Sequence, residues 1–314
     1  MSFHERTADA ARGRWRGILM HLGVPGDLLD GRQRPCPVCG GKDRFRFDDR
    51  QGRGTSFCNT CQARDGFQLA EAVLGLPFHE VASRIDAIVG NLKPDTKGRP
   101  DLTDEERARL LREVYLGSQP VRVGDLAHTY LASRGLDEVS YPAALRFHPS
   151  LRDGDGGVRP ALLAMVGVPG EPKFATIHRT FLRQDGRAKA EMASPRKLMP
   201  GLCPDGACVI LSDYSGSGPL GIAEGIETAM SAAVLFGLPV WSAISADMLA
   251  KWTPPEGCSE VVVFGDRDPG FAGQAAAYSL ARRLASRMTV SVRLPDRVGE
   301  DWADVYLRSK GVAA

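Results

Sequence analysis

Residues 260–287, "EVVVFGDRDPGFAGQAAAYSLARRLASR", decide the fold class. An apolar run, Val261-Val262-Val263-Phe264, stops at Gly265-Asp266-Arg267-Asp268, and a small-residue, amphipathic segment follows at once. A short apolar run bounded by turn residues reads as a buried strand, and the spacing after it reads as a helix. The ending is what needs explaining, because it sets two carboxylates one residue apart at the carboxyl end of a buried strand. Side chains two apart on extended backbone point the same way, so Asp266 and Asp268 can face one site.

The same alternation extends outward on both sides. "PLGIAEG" reads as a strand, "IETAMSAAVLFG" as a helix, "LPVWSAI" as a strand and "SADMLAKW" as a helix, while "TVSVRLP" makes a last strand beyond the quoted stretch. This βαβαβαβ order predicts an α/β unit, a Rossmann-like parallel sheet with covering helices. Ligands of such sheets lie beyond the carboxyl ends of the strands, at a topological switch point. Glu224 closes the first strand, Asp266 and Asp268 the third, and "GEDWADVY" brings Glu300, Asp301 and Asp304 after the fourth. Close carboxylates repel by roughly 1 kcal/mol in water and several times more when half-buried. Either some are protonated or a divalent cation neutralises them. Oxygen donors without His or Cys suit Mg²⁺ or Mn²⁺ bridging to phosphates. The plainer reading makes Asp266-Arg267-Asp268 a polar turn and Glu224 a helix-dipole partner; acids at matching strand ends, with a third cluster downstream, argue against it.

Charge is unevenly spread. The chain has a net charge of +2, but residues 1–100 carry +4, residues 101–205 carry +1 and residues 206–314 carry −3. Within the middle part, Lys173, Arg179, Arg183, Arg187, Lys189, Arg196 and Lys197 stand against only Asp185 and Glu191. A basic stripe beside an acidic unit suggests a polyanion channel next to a cation site. In this part "AHTYLASRGL" reads as a helix, and "RPALLAMVGV" and "KFATIHRTFLRQDGRAKA" read as strands of an α+β subdomain. "NLKPDTKGRPDLTDEE" has linker composition, and Thr103 with Glu106 marks a capping box that opens a connecting helix.

Near the start, "CPVCGGKDRFRFDDRQGRGTSFCNTC" gives two CxxC pairs, Cys36/Cys39 and Cys58/Cys61. Each pair can set two thiolates on one tetrahedral zinc ion, which predicts a zinc ribbon. "KDRFRF" interleaves Lys42, Arg44 and Arg46 with Phe45 and Phe47, offering charge and stacking surface to nucleic acid. The alternative is a ribbon that staples a small core with both Phe rings inside. "ADAARGRWRGILMHLG" reads as one short helix, and "DGFQLAEAVLGLPFHEVASRIDAIVG" as two helices broken near Gly75-Leu76-Pro77. No apolar run approaches the roughly 18 residues of a membrane span, and the N-terminus lacks a signal peptide's apolar core. The expectation is a cytoplasmic chain with reduced thiols.

Taken in order, "CPVCGGKDRFRF…FCNTC", "RPALLAMV…IHRTFLRQDG…PRKLMPG" and "IAEGIETAMSA…FGDRDPG…EDWADVY" resemble the bacterial-type DNA primases, and more narrowly the primase modules of phages, plasmids and satellite elements. The catalytic part of that family is a TOPRIM domain. The resemblance implies a zinc-ribbon domain over 1–92, a linker and connecting helix over 93–118, a basic subdomain over 119–205 and a TOPRIM domain over 206–314. It implies a DNA-directed RNA polymerase of the primase type, making short RNA primers on single-stranded DNA from ribonucleoside triphosphates. Glu224 would serve as general base or metal-associated carboxylate, Asp266 and Asp268 would bind the metal, and Asp301 with Asp304 would give the later acidic position. Arg179 and Lys197 would hold template and nucleotide phosphates, with Arg183, Lys189 and Arg196 as weaker candidates. No GxxxxGK[ST] motif is present, so a separate helicase or initiator is the expected partner. "CQARDGFQL" departs from the Gly-Asp-like turn expected after the last cysteine. A TOPRIM nuclease or topoisomerase-like enzyme, or a zinc-ribbon adaptor without catalysis, are the competing readings.

Overall fold

The computed structural model describes residues 3–89, 102–137, 141–192, 194–199 and 203–311, so residues 93–101 of the expected linker lie outside the described residues. Contacts divide the chain into two compact units, residues 1–103 and 104–314.

The first unit opens with α1 (Phe3–Ala11) and α2 (Trp15–His21), where the sequence had suggested one helix. Gly13 separates them with φ 70°, a left-handed value that glycine adopts without steric penalty. Four short antiparallel strands follow in meander order: β1 (Arg34–Cys36), β2 (Gly40–Phe47), β3 (Ser56–Cys58) and β4 (Gln62–Arg64). Two helices close the unit, α3 (Gly66–Leu74) and α4 (Phe78–Val89). Asp65 and Gln68 form a reciprocal capping box at the start of α3. The core gathers Trp15, Ile18, Leu19, Phe45, Phe47, Leu69 and Ile85.

The second unit begins with α5 (Asp104–Leu116), β5 (Gln119–Pro120), α6 (Leu126–Ser133), β6 (Leu145–Arg152), β7 (Val158–Val166), β8 (Thr176–Phe181) and β9 (Arg196–Leu198). These strands form an antiparallel sheet in the order β5-β6-β7-β8-β9. Alternation divides its side chains between two cores. Leu151, Ala161, Leu163, Ile177 and Phe181 pack with Leu110, Leu111 and Val114 of α5. The expected connecting helix is therefore part of this unit's core. Leu145, Phe147, Leu162 and Ala164 face the other way, onto Tyr130 and Leu131 of α6 and onto Ala223, Ile226 and Phe264.

The remainder runs β10 (Pro219–Ala223), α7 (Ile226–Phe236), β11 (Val240–Ser242), α8 (Ala246–Lys251), β12 (Glu260–Phe264), α9 (Ala272–Leu284), β13 (Thr289–Arg293) and α10 (Trp302–Ser309). All four strands are parallel, in the order β11-β10-β12-β13. β10 and β12 are buried on both faces, between the core around Phe264 and a second one of Leu220, Ile222, Val261, Val263, Ala277 and Leu280. That is why they read as unbroken apolar runs. The chain progresses in opposite directions from β10, so the switch point lies between β10 and its neighbours. Ala223 pairs with Phe264, so Glu224 and Asp266 emerge from adjacent strand ends. Among the described residues, no helix is long and apolar enough to cross a membrane.

Candidate active site

Glu224 sits in the turn from β10 to α7, where the Ser242 hydroxyl donates to its backbone carbonyl at 2.9 Å. Asp266 and Asp268 occupy the loop from β12 to α9. The Asp268 carboxylate accepts from the Gly273 N–H at 2.8 Å, and its backbone carbonyl accepts from the Gln274 side chain at 2.9 Å. Position 273 requires glycine for a packing reason. A Cβ there would lie 2.9 Å from the Asp266 carbonyl and 3.0 Å from the Asp268 carboxylate, so no side chain fits where α9 meets the loop.

Burial and crowding shape this site together. Desolvation pushes the Asp266 carboxyl up to about 8, with Glu224, Asp301 and Asp268 adding to it and Arg196 opposing. Desolvation also raises Glu224, reinforced by the charge of Asp268. Asp301 is raised as well, by burial and then by Asp304, although backbone N–H bonds work against that. Asp266 Oδ1 is buried without a hydrogen-bond partner. An all-oxygen set holding an unpartnered buried oxygen fits a hard divalent cation, with Asp266 and Asp268 as its natural donors. Asp301 and Asp304 carry a second duty. Asp301 caps α10, accepting from the N–H groups of Ala303 and Asp304 at 2.7 and 3.0 Å, and Asp304 accepts from the Asp301 N–H at 3.1 Å.

The basic candidates separate by strand face. Thr180 pairs with Arg196 and Arg179 with Lys197, so adjacent residues of β9 point to opposite sides of the sheet. Arg196 is exposed, and its charge acts on Glu224, Asp266 and Glu227. Lys189 reaches Glu227 at 3.7 Å. Arg179 and Lys197 are not brought to the carboxylates. Arg179 lies 5.5 Å over the Phe181 ring and donates to the Leu198 carbonyl at 2.8 Å. Lys197 binds the Asp155 carboxylate at 2.7 Å and the Asp153 carbonyl at 2.9 Å. Arg183 pairs with Asp185 at 3.1 Å and Glu191 at 3.6 Å.

Glu227 was missed in the sequence, where it reads as one more acid in the first turn of a helix. It is only 8% exposed and accepts a hydrogen bond from the Tyr130 hydroxyl. Arg134 stands beside both. Although burial opposes ionisation, Lys189, Arg196 and the Tyr130 bond hold Glu227 down at about 2. Nearby His178 is kept neutral, its value lowered to about 4 by burial and then by Arg196. Spacing gave no signal for it, since Glu224 precedes the N-cap Gly225 and lies outside α7.

In the first unit the four cysteine sulfurs Cys36, Cys39, Cys58 and Cys61 all lie within 4.8 Å of one another, and all four are free thiols. The Cys39–Cys58 separation is 3.7 Å. Zinc–thiolate bonds of about 2.3 Å in tetrahedral geometry require sulfur separations of about 3.8 Å, so the set fits zinc. The structure corrects the reading of Phe45 as stacking surface. Phe45 and Phe47 are 1% and 4% exposed because strand alternation turns both inward, while Lys42 and Arg46 face solvent and Arg44 donates to Thr60 at 3.0 Å.

Comparison with known proteins agrees with this geometry. Residues 31–67 match the family described as the zinc-binding domain of primase-helicase, and residues 219–313 match a Toprim domain. Residues 105–210 match a domain of unknown function, DUF7146. A primase-type zinc ribbon and a Toprim sheet in one chain define a primase-type protein. Similar solved structures include the primase fragment of the bacteriophage T7 primase-helicase, 14% identical over 89% of this chain and 96% of that one, with TM-score 0.41. The zinc-binding and RNA polymerase domains of the Aquifex aeolicus primase are 14% identical over 97% and 82%, with TM-score 0.40. A DNA primase domain from Pseudomonas aeruginosa is 12% identical over 51% and 52%, with TM-score 0.36.

Proposed function

We propose that the chain is a DNA primase, synthesising short RNA primers on single-stranded DNA from ribonucleoside triphosphates. The observation that carries this reading is the carboxylate cluster at the switch point, with Asp266 Oδ1 unpartnered and Arg196 facing it. Asp266 and Asp268 would hold Mg²⁺ or Mn²⁺, which when bound supplies charge neutralisation for a triphosphate. Glu224, raised by burial, is suited to accept the proton of an attacking hydroxyl. Arg196 and Lys189 stand on the carboxylate side of the antiparallel sheet and take the phosphate-facing role that the resemblance gave to Arg179 and Lys197. Most of the rate enhancement would come from positioning and charge, as in phosphoryl transfer generally. In this reading residues 206–314 form the catalytic domain and residues 119–205 the basic subdomain. Lys42, Arg44 and Arg46 of the ribbon, residues 1–92, contact the template by charge. A separate helicase or initiator delivers unwound DNA.

The test is de novo synthesis on mixed-sequence single-stranded DNA with labelled ribonucleotides and Mg²⁺. Short RNA products should fall about a hundredfold or more in Asp266→Asn. Degraded template would instead mark a metal-dependent nuclease. Intact DNA binding without product in Mg²⁺ or Mn²⁺ would mark an adaptor.

A further inference from the structure

Helix α9 presents an unusual outer face. Phe271 is its N-cap, with φ 61° and ψ 14°, a left-handed conformation that favours glycine and opposes an aromatic side chain. Its ring is 69% exposed, so no burial offsets that strain. Tyr278, seven residues on, is 56% exposed. Position 278 lies about two helical turns, roughly 10 Å along the axis, beyond the N-cap position, on the same side of α9. Ala275 and Arg282 are exposed on that side too. Among the described residues Arg282 makes no ion pair or side-chain hydrogen bond, whereas its neighbour Arg283 donates to the carbonyls of Ala250 and Trp252.

Charge favours an anion here. Residues 269–295 contain Arg282, Arg283, Arg287 and Arg293 and no Asp or Glu, within the most acidic third of the chain. A helix face built for a protein partner repeats aliphatic anchors at i, i+3, i+4 and i+7. This one offers two flat rings, an alanine and a cation. The loop carrying Phe271 is the one that carries Asp266 and Asp268, and the Phe271 N–H donates to the Asp268 carbonyl at 3.1 Å. We propose that Phe271 and Tyr278, with Arg282 beyond them, form a stacking track along α9 for the bases of a single nucleic-acid strand passing the carboxylates. The inference rests on the primase reading for the class of its ligand.

The test uses the full chain with zinc bound, in magnesium-free buffer, and fluorescence anisotropy with two probes: labelled oligothymidylate and an abasic oligonucleotide of equal length. Phe271→Ala and Tyr278→Ala should each weaken oligothymidylate binding about fivefold to twentyfold while changing abasic binding less than about twofold. Phe271→Trp should keep the affinity of the parent chain. Arg282→Ala should weaken both probes alike, because it acts on phosphate. Val123→Ala, an exposed apolar residue in the segment before α6, should change neither. Phe271→Gly should raise the Tm by about 2–4 °C while losing the stacking, a split that a purely structural role cannot produce. The track is overturned if the parent chain does not prefer the probe with bases, or if both aromatic variants bind as it does. Primer synthesis by the parent chain is scored separately. Its absence with stacking intact retires the primase reading alone, and its presence with stacking absent retires the track alone.

Discussion

The chain holds two crowded sets of acidic donors, and they are built in opposite ways. The four thiols of the ribbon all lie between Cys36 and Cys61, on a meander whose turns place them. The carboxylates come from three separate turns, after β10, β12 and β13, and meet only because the sheet order places β10 beside β12. Their physics is the same. Burial first, and neighbouring donors second, push Cys61 up to about 12 and Asp266 up to about 8. The thiolates suit zinc, and in the proposed function the carboxylates would take a hard divalent ion. The ribbon depends on its ion for shape, since its strands are three to eight residues long. The carboxylates are carried by a parallel sheet packed between two apolar cores, so their placement does not depend on an ion.

The largest expected effect tests that contrast. Cys36→Ser, or removal of zinc with a chelator, should unfold the ribbon, because structural zinc contributes on the order of 10 kcal/mol to such modules. Hydrogen exchange should show the amides of residues 34–64 losing protection while those of residues 219–264 keep theirs. Asp266→Asn should leave both regions protected. A ribbon that stays protected without zinc would remove the distinction.

A smaller effect is expected where the second unit buries its own charges. Glu227→Ala removes the buried carboxylate that faces Lys189 and Arg134 and should lower stability by about 3–5 kcal/mol, read as a drop in thermal midpoint. The pH dependence has a definite sign. Glu227 ionises at about 2, below its ordinary 4.5, so its contribution is complete above 4.5 and is lost as pH falls toward 2. His178 protonates at about 4 rather than 6.5, so the unfolded chain takes that proton first and stability falls between 6.5 and 4. The raised carboxyls of Asp266, Glu224 and Asp301 act in the opposite sense, gaining stability as pH falls, so the two losses are read as differences in thermal midpoint between the parent chain and its variants. Glu227→Gln should keep the His178 stage and lose the later one. A midpoint difference between the parent chain and Glu227→Gln that stays the same from neutral to acid pH would contradict the Glu227 assignment.

What could be read in advance divides along the same line. The cysteine spacing carried the ribbon because its ligands are local, and the strand–helix alternation carried the parallel sheet because its strands are apolar on both faces. Glu224, Asp266 and Asp268 were legible as strand endings. Glu227 was not, since nothing in "IETAM" distinguishes an acid at a solvated helix start from one closed over by Tyr130 and Lys189. Phe45 went the other way, since its interleaving with basic residues suggested exposure, and only the strand's alternation shows which face is inside. The basic stripe was legible as composition, but composition cannot say which of two neighbours on a strand turns toward a site.

That last point gives the finest test, on Arg196 and Lys197. Lys197 is bound to a carboxylate that is itself 44% exposed, and such pairs contribute about 0–1 kcal/mol. Lys197→Ala should change the thermal midpoint slightly and primer yield less than about twofold, because its ammonium faces Asp153 and Asp155 rather than the acids. Arg196→Ala should lower the midpoint only slightly, less than Glu227→Ala, since Arg196 is exposed and supports Glu227 by charge alone, yet cut primer yield about tenfold or more by removing the positive charge that opposes proton uptake at Asp266 and Glu224. The pH at which synthesis sets in should rise in the same variant, because both carboxylates lose a charge that favours ionisation. The opposite pattern, with Lys197→Ala silent in stability but severe in synthesis, would mean that β9 is displaced by one residue against β8. A slip of one residue exchanges the two faces of a strand, and Lys197 would then take the place of Arg196 on the carboxylate side.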